Sequence, residues 1–477
     1  MSDMRIGTIA VIGDGVAGWS AAAALKSRVP DVSVAAIPVA DLRPGFVDLF
    51  GGASPSIGEF HADIGLDERD VLARTGAGIR LGTRFLGWSG TDYTHAYGPA
   101  GMPVDGVPFA TLWARLGGTE PFDSFAPAAA LAAAGRFIPP RADILSGYAN
   151  GLQLDPRVYR RFIEAYARHL GVVVTASGMR HAETDGHRVT TLHLDDGGRL
   201  EADLYIDATN ADARLIGQFG DDWQDWSPWL PCDSVVQRLG TPDAAPSEPF
   251  LSPLEQVEAI DGGWRLTSCL PGRTDKAIVF ASGAHHEPGD VWRFKSGRRS
   301  RAWIGNVVAI GEADCVVEPL EAAPLHVLHT QIDRLVASLP DRDFDAVELA
   351  YYNRETGQEA DRLRDFLILH YATSDRPEPF WQTARNVTLP PLLAETLTLF
   401  LERGRLPIRD GESFDRDSWH AVLLGQGIVP RRSDVLAAAV DPKRARAAMA
   451  DFRARLSTAV AAAPTHRAYL ASLRTNA

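Results

Sequence analysis

The chain has 477 residues, 45% hydrophobic and 23% charged, with a formal net charge of -13. That balance excludes a disordered, collagen-like or coiled-coil polypeptide, and the acidic excess argues against charge-driven binding to nucleic acid or anionic membranes. At roughly 150 residues per domain, the length allows two to four modules or one large enzyme with insertions. Cys232, Cys269 and Cys315 stand far apart and form no C-x-x-C metal pair, which fits a reducing, cytoplasmic setting. Neither a cleavable leader nor an uninterrupted apolar run of about 18 residues is visible, so no membrane-spanning segment is expected.

The first element is a β-branched run, Thr8 to Ile12, that ends in Gly13-Asp14-Gly15-Val16-Ala17-Gly18. An Ala-rich stretch from Trp19 to Lys26 predicts a helix, and Val32 to Ile37 predicts a second strand. The glycines of this β-turn-α-β unit stand where a dinucleotide-binding turn needs them. Gly13 permits the bend, Gly15 lets backbone N–H groups approach a pyrophosphate, and Gly18 allows close packing of helix on strand. Val16 and Ala17 belong to the same turn. The carboxylate that usually ends the second strand and holds the ribose is missing, with Ala36 in its place.

Farther along, Glu201 to Asn210 and Trp303 to Gly311 read as further strands with small-residue ends, and a helix is predicted from Glu321 into Leu339. Three such strands spread over the chain fit an interrupted nucleotide-binding domain. Residues 121–140, rich in Ala and Pro, read as a surface connection. From about Ser433 the chain is predicted helical, with Met449, Phe452, Leu456 and Val460 on one face and Asp441-Pro442 as its start.

Several blocks in one order resemble the flavin-dependent tryptophan halogenase family. GDGVAGW resembles that family's GxGxxGW, and AGIRLGTRFLGW its stretch around a catalytic lysine. Leu154-Asp155-Pro156, Leu230-Pro231-Cys232-Asp233, Trp303 through Glu321, Asp361 through Tyr371 and Val422 through Ile428 continue the series. The resemblance implies an α/β fold: an FAD-binding Rossmann-like domain of the GR2-type flavoprotein monooxygenase kind, with an interwoven substrate module and C-terminal helices. Residues 1–340 would form the discontinuous FAD-binding domain with inserted substrate-module strands, and 341–477 the mainly helical cap. It further implies reduced FAD supplied by a separate flavin reductase, oxygen, and chloride or bromide. A flavin hydroperoxide would oxidise halide to hypohalous acid, which reaches a lysine beside a small aromatic or peptide-borne substrate. Related proteins are often homodimers. Gly13, Gly15, Val16, Ala17 and Gly18, together with Ala53, Ser54 and Gly311, map onto the flavin-binding positions.

Against that pattern, the catalytic-lysine position holds Arg80, while the glutamate position survives as Glu321, followed by Ala322 where a serine is usual. A guanidinium stays protonated and offers no lone pair, so it cannot replace a lysine amine. Arg80 is therefore either paired with Glu321 or a binder of a substrate carboxylate or oxygen intermediate. The WxWxIP motif is reduced to Trp264-Arg265-Leu266-Thr267-Ser268-Cys269, and the family's GEATxP loop reads Gly51-Gly52-Ala53-Ser54-Pro55. These departures leave three readings: halogenation, direct monooxygenation or oxidation, and a non-catalytic protein that retains the fold. His326 and His329 share a helical face but no third ligand clusters with them, so no metal is expected. Cys232 reads as a small buried hydrophobe.

Overall fold

The computed structural model describes residues 4–118, 120–220, 222–241, 251–407 and 409–475. The chain divides into two compact units, residues 1–76, 154–227 and 294–361 in the first and 77–153, 228–293 and 362–477 in the second. The long helix Ala346–Ala372 passes from the first to the second at Asp361.

The first unit is built on a six-stranded sheet in the order Trp303–Ile304, Val307–Ala309, Leu204–Asp207, Thr8–Ile12, Ser33–Ile37, Val173–Val174. All its pairings are parallel except the hairpin Trp303–Ile304 with Val307–Ala309. Parallel strands covered on both faces read as continuous apolar runs, and Ile9 through Ile12 are all buried. The helix Val16–Arg28 begins earlier than the Ala-rich run suggested, directly on the Gly-rich turn. Ala21, Ala22, Ala23 and Ala24 are fully buried, which suits a helix apolar on all sides. A smaller antiparallel sheet, Met179–Thr184, Val189–Leu194 and Arg199–Leu200, is fastened through Asn306, whose side chain bonds both the N–H and the carbonyl of Val189 at 2.9 Å.

The second unit holds a seven-stranded sheet, in the order Val291–Arg293, Ser234–Arg238, Arg273–Phe280, Gly263–Leu270, Glu255–Ile260, Gly82–Leu86, Tyr93–Ala96. Its strands are antiparallel apart from Glu255–Ile260 beside Gly82–Leu86. Along much of Gly263–Leu270 burial alternates with the period of two expected of a strand with one face in the core, and Trp264 is completely enclosed. A two-stranded ribbon joins Gly78–Arg80 to Gly151–Gln153. The helix Pro442–Ala462 starts as the sequence indicates, with Asp441 accepting the Lys443 N–H at 3.0 Å and Phe452, Leu456 and Val460 buried.

One segment differs from expectation. Residues 121–140 are not a surface connection: Phe122–Phe125 and the helix Pro127–Ala133 bury Phe122, Phe125, Ala128, Leu131 and Ala132. Alanine is among the residue types most often found fully buried, and the flanking phenylalanines place this run inside.

Asp207, at the end of the strand Leu204–Asp207, is fully buried and holds the loop that follows it. One carboxylate oxygen accepts the N–H and hydroxyl of Thr209, at 3.1 and 2.6 Å, and the other accepts the N–H groups of Leu215 and Ile216 at 2.8 Å. Asp207→Ala removes the acceptor for all of these buried donors. The expected loss is about 2–4 kcal/mol, read as a lowered urea midpoint with an unchanged slope.

Candidate active site

In the first unit, residues 13–15 form the turn between the strand Thr8–Ile12 and the helix Val16–Arg28, and residues 16–18 open the helix. Gly13 has φ 116°, and a Cβ there would overlap the Ala208 carbonyl. A Cβ on Gly18 would overlap the Gly13 carbonyl oxygen, so both positions demand glycine for close packing. Gly15 is different: a Cβ there would lie 2.8 Å from Oδ2 of Asp48. The Asp48 carboxylate accepts the Val16 N–H at 2.8 Å and the Gly45 N–H at 3.3 Å. A carboxylate therefore stands at the helix N-terminus, the place suited to a phosphate oxygen.

Around this turn lies a cavity of about 260 Å³, lined by Gly15, Arg43, Asp48, Arg157, Arg160 and Asn210 among others. Arg160 grips Asp14, donating to its backbone carbonyl and its carboxylate at 2.7 Å. Burial pushes the Asp48 carboxyl above its ordinary range. Glu312, which accepts the Phe46 N–H, is pushed up to about 8 by burial, with the Asp48 charge adding to the rise. The Gly-rich turn and the arginines beside it fit the diphosphate of a dinucleotide cofactor, while Asp48 holds the helix amide that a phosphate oxygen would take.

Gly311 has φ 57°, donates its N–H to Gln331 at 2.6 Å, and lies so that a Cβ would meet Ala17 at 3.8 Å. The end of the third strand and the Gly-rich turn therefore converge. Ala53 is buried, and Ser54 meets Ser56, whose hydroxyl bonds Nδ1 of His326 at 2.9 Å. His329 stacks on Phe60 with ring centroids 3.9 Å apart. Among the described residues no three metal-ligating side chains cluster. Glu321 and Ala322 are both buried with φ 58° and 60°. Two successive non-glycine residues in the left-handed region cost on the order of 1–3 kcal/mol each, strain that collects at functional sites.

Arg80 belongs to the second unit, where the carboxylate it meets is Glu255. Its Nη2 donates to the Thr83 hydroxyl at 2.7 Å and to Glu255 at 3.3 Å, and the other Glu255 oxygen accepts the Ser268 hydroxyl at 2.7 Å. The sheet sets this geometry: Glu255 lies opposite Thr83, and Ser268 follows Thr267, which pairs with Gln256. Arg80 and Glu255 are almost wholly buried, and the guanidinium lies 5.4 Å from the centre of the Tyr97 ring. Among the described residues, Nε and Nη1 of Arg80 have no hydrogen-bond partner. Elsewhere in the same unit Trp264 donates to the Tyr371 hydroxyl at 2.9 Å, and Cys232 is buried 3.6 Å from the same oxygen.

The tryptophan halogenase family profile matches residues 8–442. The chain belongs to the tryptophan halogenase family. It is 32% identical to BrvH, a flavin-dependent halogenase from Brevundimonas sp. BAL3, with a TM-score of 0.91 over 99% of this chain and 100% of that one. Xcc4156, a flavin-dependent halogenase from Xanthomonas campestris, is 29% identical with a TM-score of 0.90, covering 98% of each chain. The tryptophan 7-halogenase KtzQ of Kutzneria sp. (strain 744) is 27% identical over 99% of both. Within this family the mixed α/β fold carries an FAD-binding Rossmann-like domain, and the chain is an enzyme of the flavin-dependent oxidoreductase type.

Two measurements follow. Glu255→Gln strands a buried guanidinium without its counter-charge and should cost about 3–5 kcal/mol, whereas the paired change Arg80→Met with Glu255→Gln should recover much of that loss. Glu312 has a folded-state value raised above the usual carboxyl range. The stability it contributes is full below about 4.5 and is lost as pH rises towards 8. Glu312→Gln should therefore gain on the parent across that window, by up to ~1.4 kcal/mol per pH unit, read from denaturant titrations at several pH values.

Proposed function

We propose that this enzyme uses reduced FAD and oxygen to oxidise an indole or tryptophan-like aromatic group, without the lysine-borne relay that resemblance to its relatives suggests. The flavin is assigned to the first unit, with Gly13, Gly15, Val16, Ala17 and Gly18 at its diphosphate and Ala53, Ser54 and Gly311 along the same site. Bound reduced FAD would supply the electrons that activate oxygen. Arg43, Arg157 and Arg160 line the cavity at the Gly-rich turn and would offset the diphosphate charge. Arg80 and Glu321 are assigned to the substrate.

The observation that carries this reading is the bracket around Arg80. Glu255 and Thr83 hold one guanidinium nitrogen, Ser268 fixes Glu255, and burial excludes water. A group so held is a permanent positive charge with N–H donors. It can orient a substrate carboxylate or an electron-rich oxygen, but has no lone pair to take up an electrophilic halogen. Glu321 supplies a carboxylate on a strained backbone, suited to accepting a proton at a defined position. The small aromatic or peptide substrate, the separate flavin reductase, a homodimeric state and a cytoplasmic setting complete the proposal. No helix among the described residues is long and apolar enough to cross a membrane.

A second reading, a protein that retains the fold without catalysis, draws on Asp48, which occupies the Val16 N–H that a phosphate would use. An FAD titration by fluorescence quenching, checked by co-elution, separates the two. The proposal expects binding at micromolar concentration or tighter, then turnover with reduced flavin that yields oxygenated product with or without bromide. Arg80→Lys is expected to bring bromination of indole. Binding of neither oxidised nor reduced FAD would sink the enzymatic reading, and bromide-dependent product from the parent chain would return it to halogenation.

A further inference from the structure

Away from Arg80, the second unit carries a cavity of about 190 Å³ lined by residues of the helices Phe109–Arg115, Pro391–Arg403 and Arg416–Gly425 and the segment 430–434. At about 30 Å³ per water, it holds roughly six waters' volume. That is below the ~300 Å³ at which drug-sized ligand pockets begin, so it suits a head group with a ring or short chain.

Its lining charge is unusual for a chain with net charge -13: Arg115, Arg403, Arg431 and Arg432 face one carboxylate, Asp434. Asp434 is engaged elsewhere, capping the helix Val435–Ala439 through the Leu436 N–H at 2.8 Å. Arg115 is spent on the carbonyls of Ala437 and Val440. Outside the cavity Glu402 serves two arginines at once, Arg431 at 3.2 Å and Arg432 at 3.9 Å. The Arg431 N–H bonds the Leu401 carbonyl at 2.7 Å, which fixes this arginine pair beside the end of the helix Pro391–Arg403. Among the described residues Arg403 has no acid at ion-pair distance.

Opposite these cations the wall is apolar, with Phe400, Leu424 and Pro430. His420 completes it, its Nδ1 buried without a hydrogen-bond partner and its ring 6.1 Å from Phe400. Burial and the nearby Arg416 keep that imidazole neutral, with a value near 4. A cationic rim against an apolar wall describes a ligand with an anionic head and an apolar stem.

We propose that this cavity is a second binding site, separate from the flavin chemistry, for a small molecule bearing a carboxylate or phosphate on a short apolar stem. Calorimetric titration of the full chain with benzoate and phenyl phosphate tests it, with inorganic phosphate as head without stem and benzylamine as charge-reversed control. Saturable binding of benzoate or phenyl phosphate is expected, the tighter naming the head, and Arg403→Gln with Arg432→Gln should weaken it by about tenfold or more. Arg432 is largely exposed, so Arg431→Gln with Arg432→Gln serves as a variant that leaves the fold undisturbed and should weaken binding in the same direction. Benzylamine binding as well as benzoate, binding unmoved by either pair of substitutions, or no binding of either stemmed probe would each overturn the proposal. Inorganic phosphate binding as tightly as phenyl phosphate would overturn the apolar stem.

Discussion

The close approach of Gly18 to the Gly13 carbonyl is the constraint on which the first unit depends. Only without side chains at both positions can the helix Val16–Arg28 start so soon after the strand Thr8–Ile12. That approach brings the first amide of the helix to Asp48, which lines the cavity together with the arginine rim. The same packing explains the run of fully buried alanines behind it, since a helix held this near a sheet has room for little more than methyl groups. Local backbone geometry and the electrostatics of the helix N-terminus are thus one feature.

In the second unit the corresponding role falls to sheet register. Arg80 is tolerable in a buried place only because the parallel pairing of Glu255–Ile260 with Gly82–Leu86 sets a carboxylate opposite Thr83. The next antiparallel strand adds Ser268 to that carboxylate. An arginine and a serine that look like unrelated departures in the sequence meet on one acid, Glu255, that no motif marks. Burying a charge costs several kcal/mol without such company, so these residues are best understood as a set.

Much of the nucleotide-binding half was legible beforehand because its signals are local. A β-branched run, a glycine-spaced turn and an Ala-rich helix lie within 30 residues, and each reports directly on backbone geometry. The capped start of Pro442–Ala462 was equally local. Asp48, Glu312 and Glu255 were not legible, because no periodicity connects an acid to a partner as distant as Glu255 is from Arg80, 175 positions away in the chain. Residues 121–140 were misread for a different reason: composition was weighed where the placement of Phe122, Phe125 and Phe137 decides burial. Arg80 was singled out in the sequence, yet the identity of its counter-ion depended on strand order, which sequence pattern does not encode.

The permanence of the Arg80 charge has a kinetic consequence. A buried amine can lose its proton within the working range of an enzyme, so a lysine there imposes its own titration on the rate. A guanidinium imposes none. In a pH–rate profile of this enzyme, an alkaline limb must therefore arise from some group other than residue 80. The charge that residue 80 presents to its surroundings is the same in acid as in base.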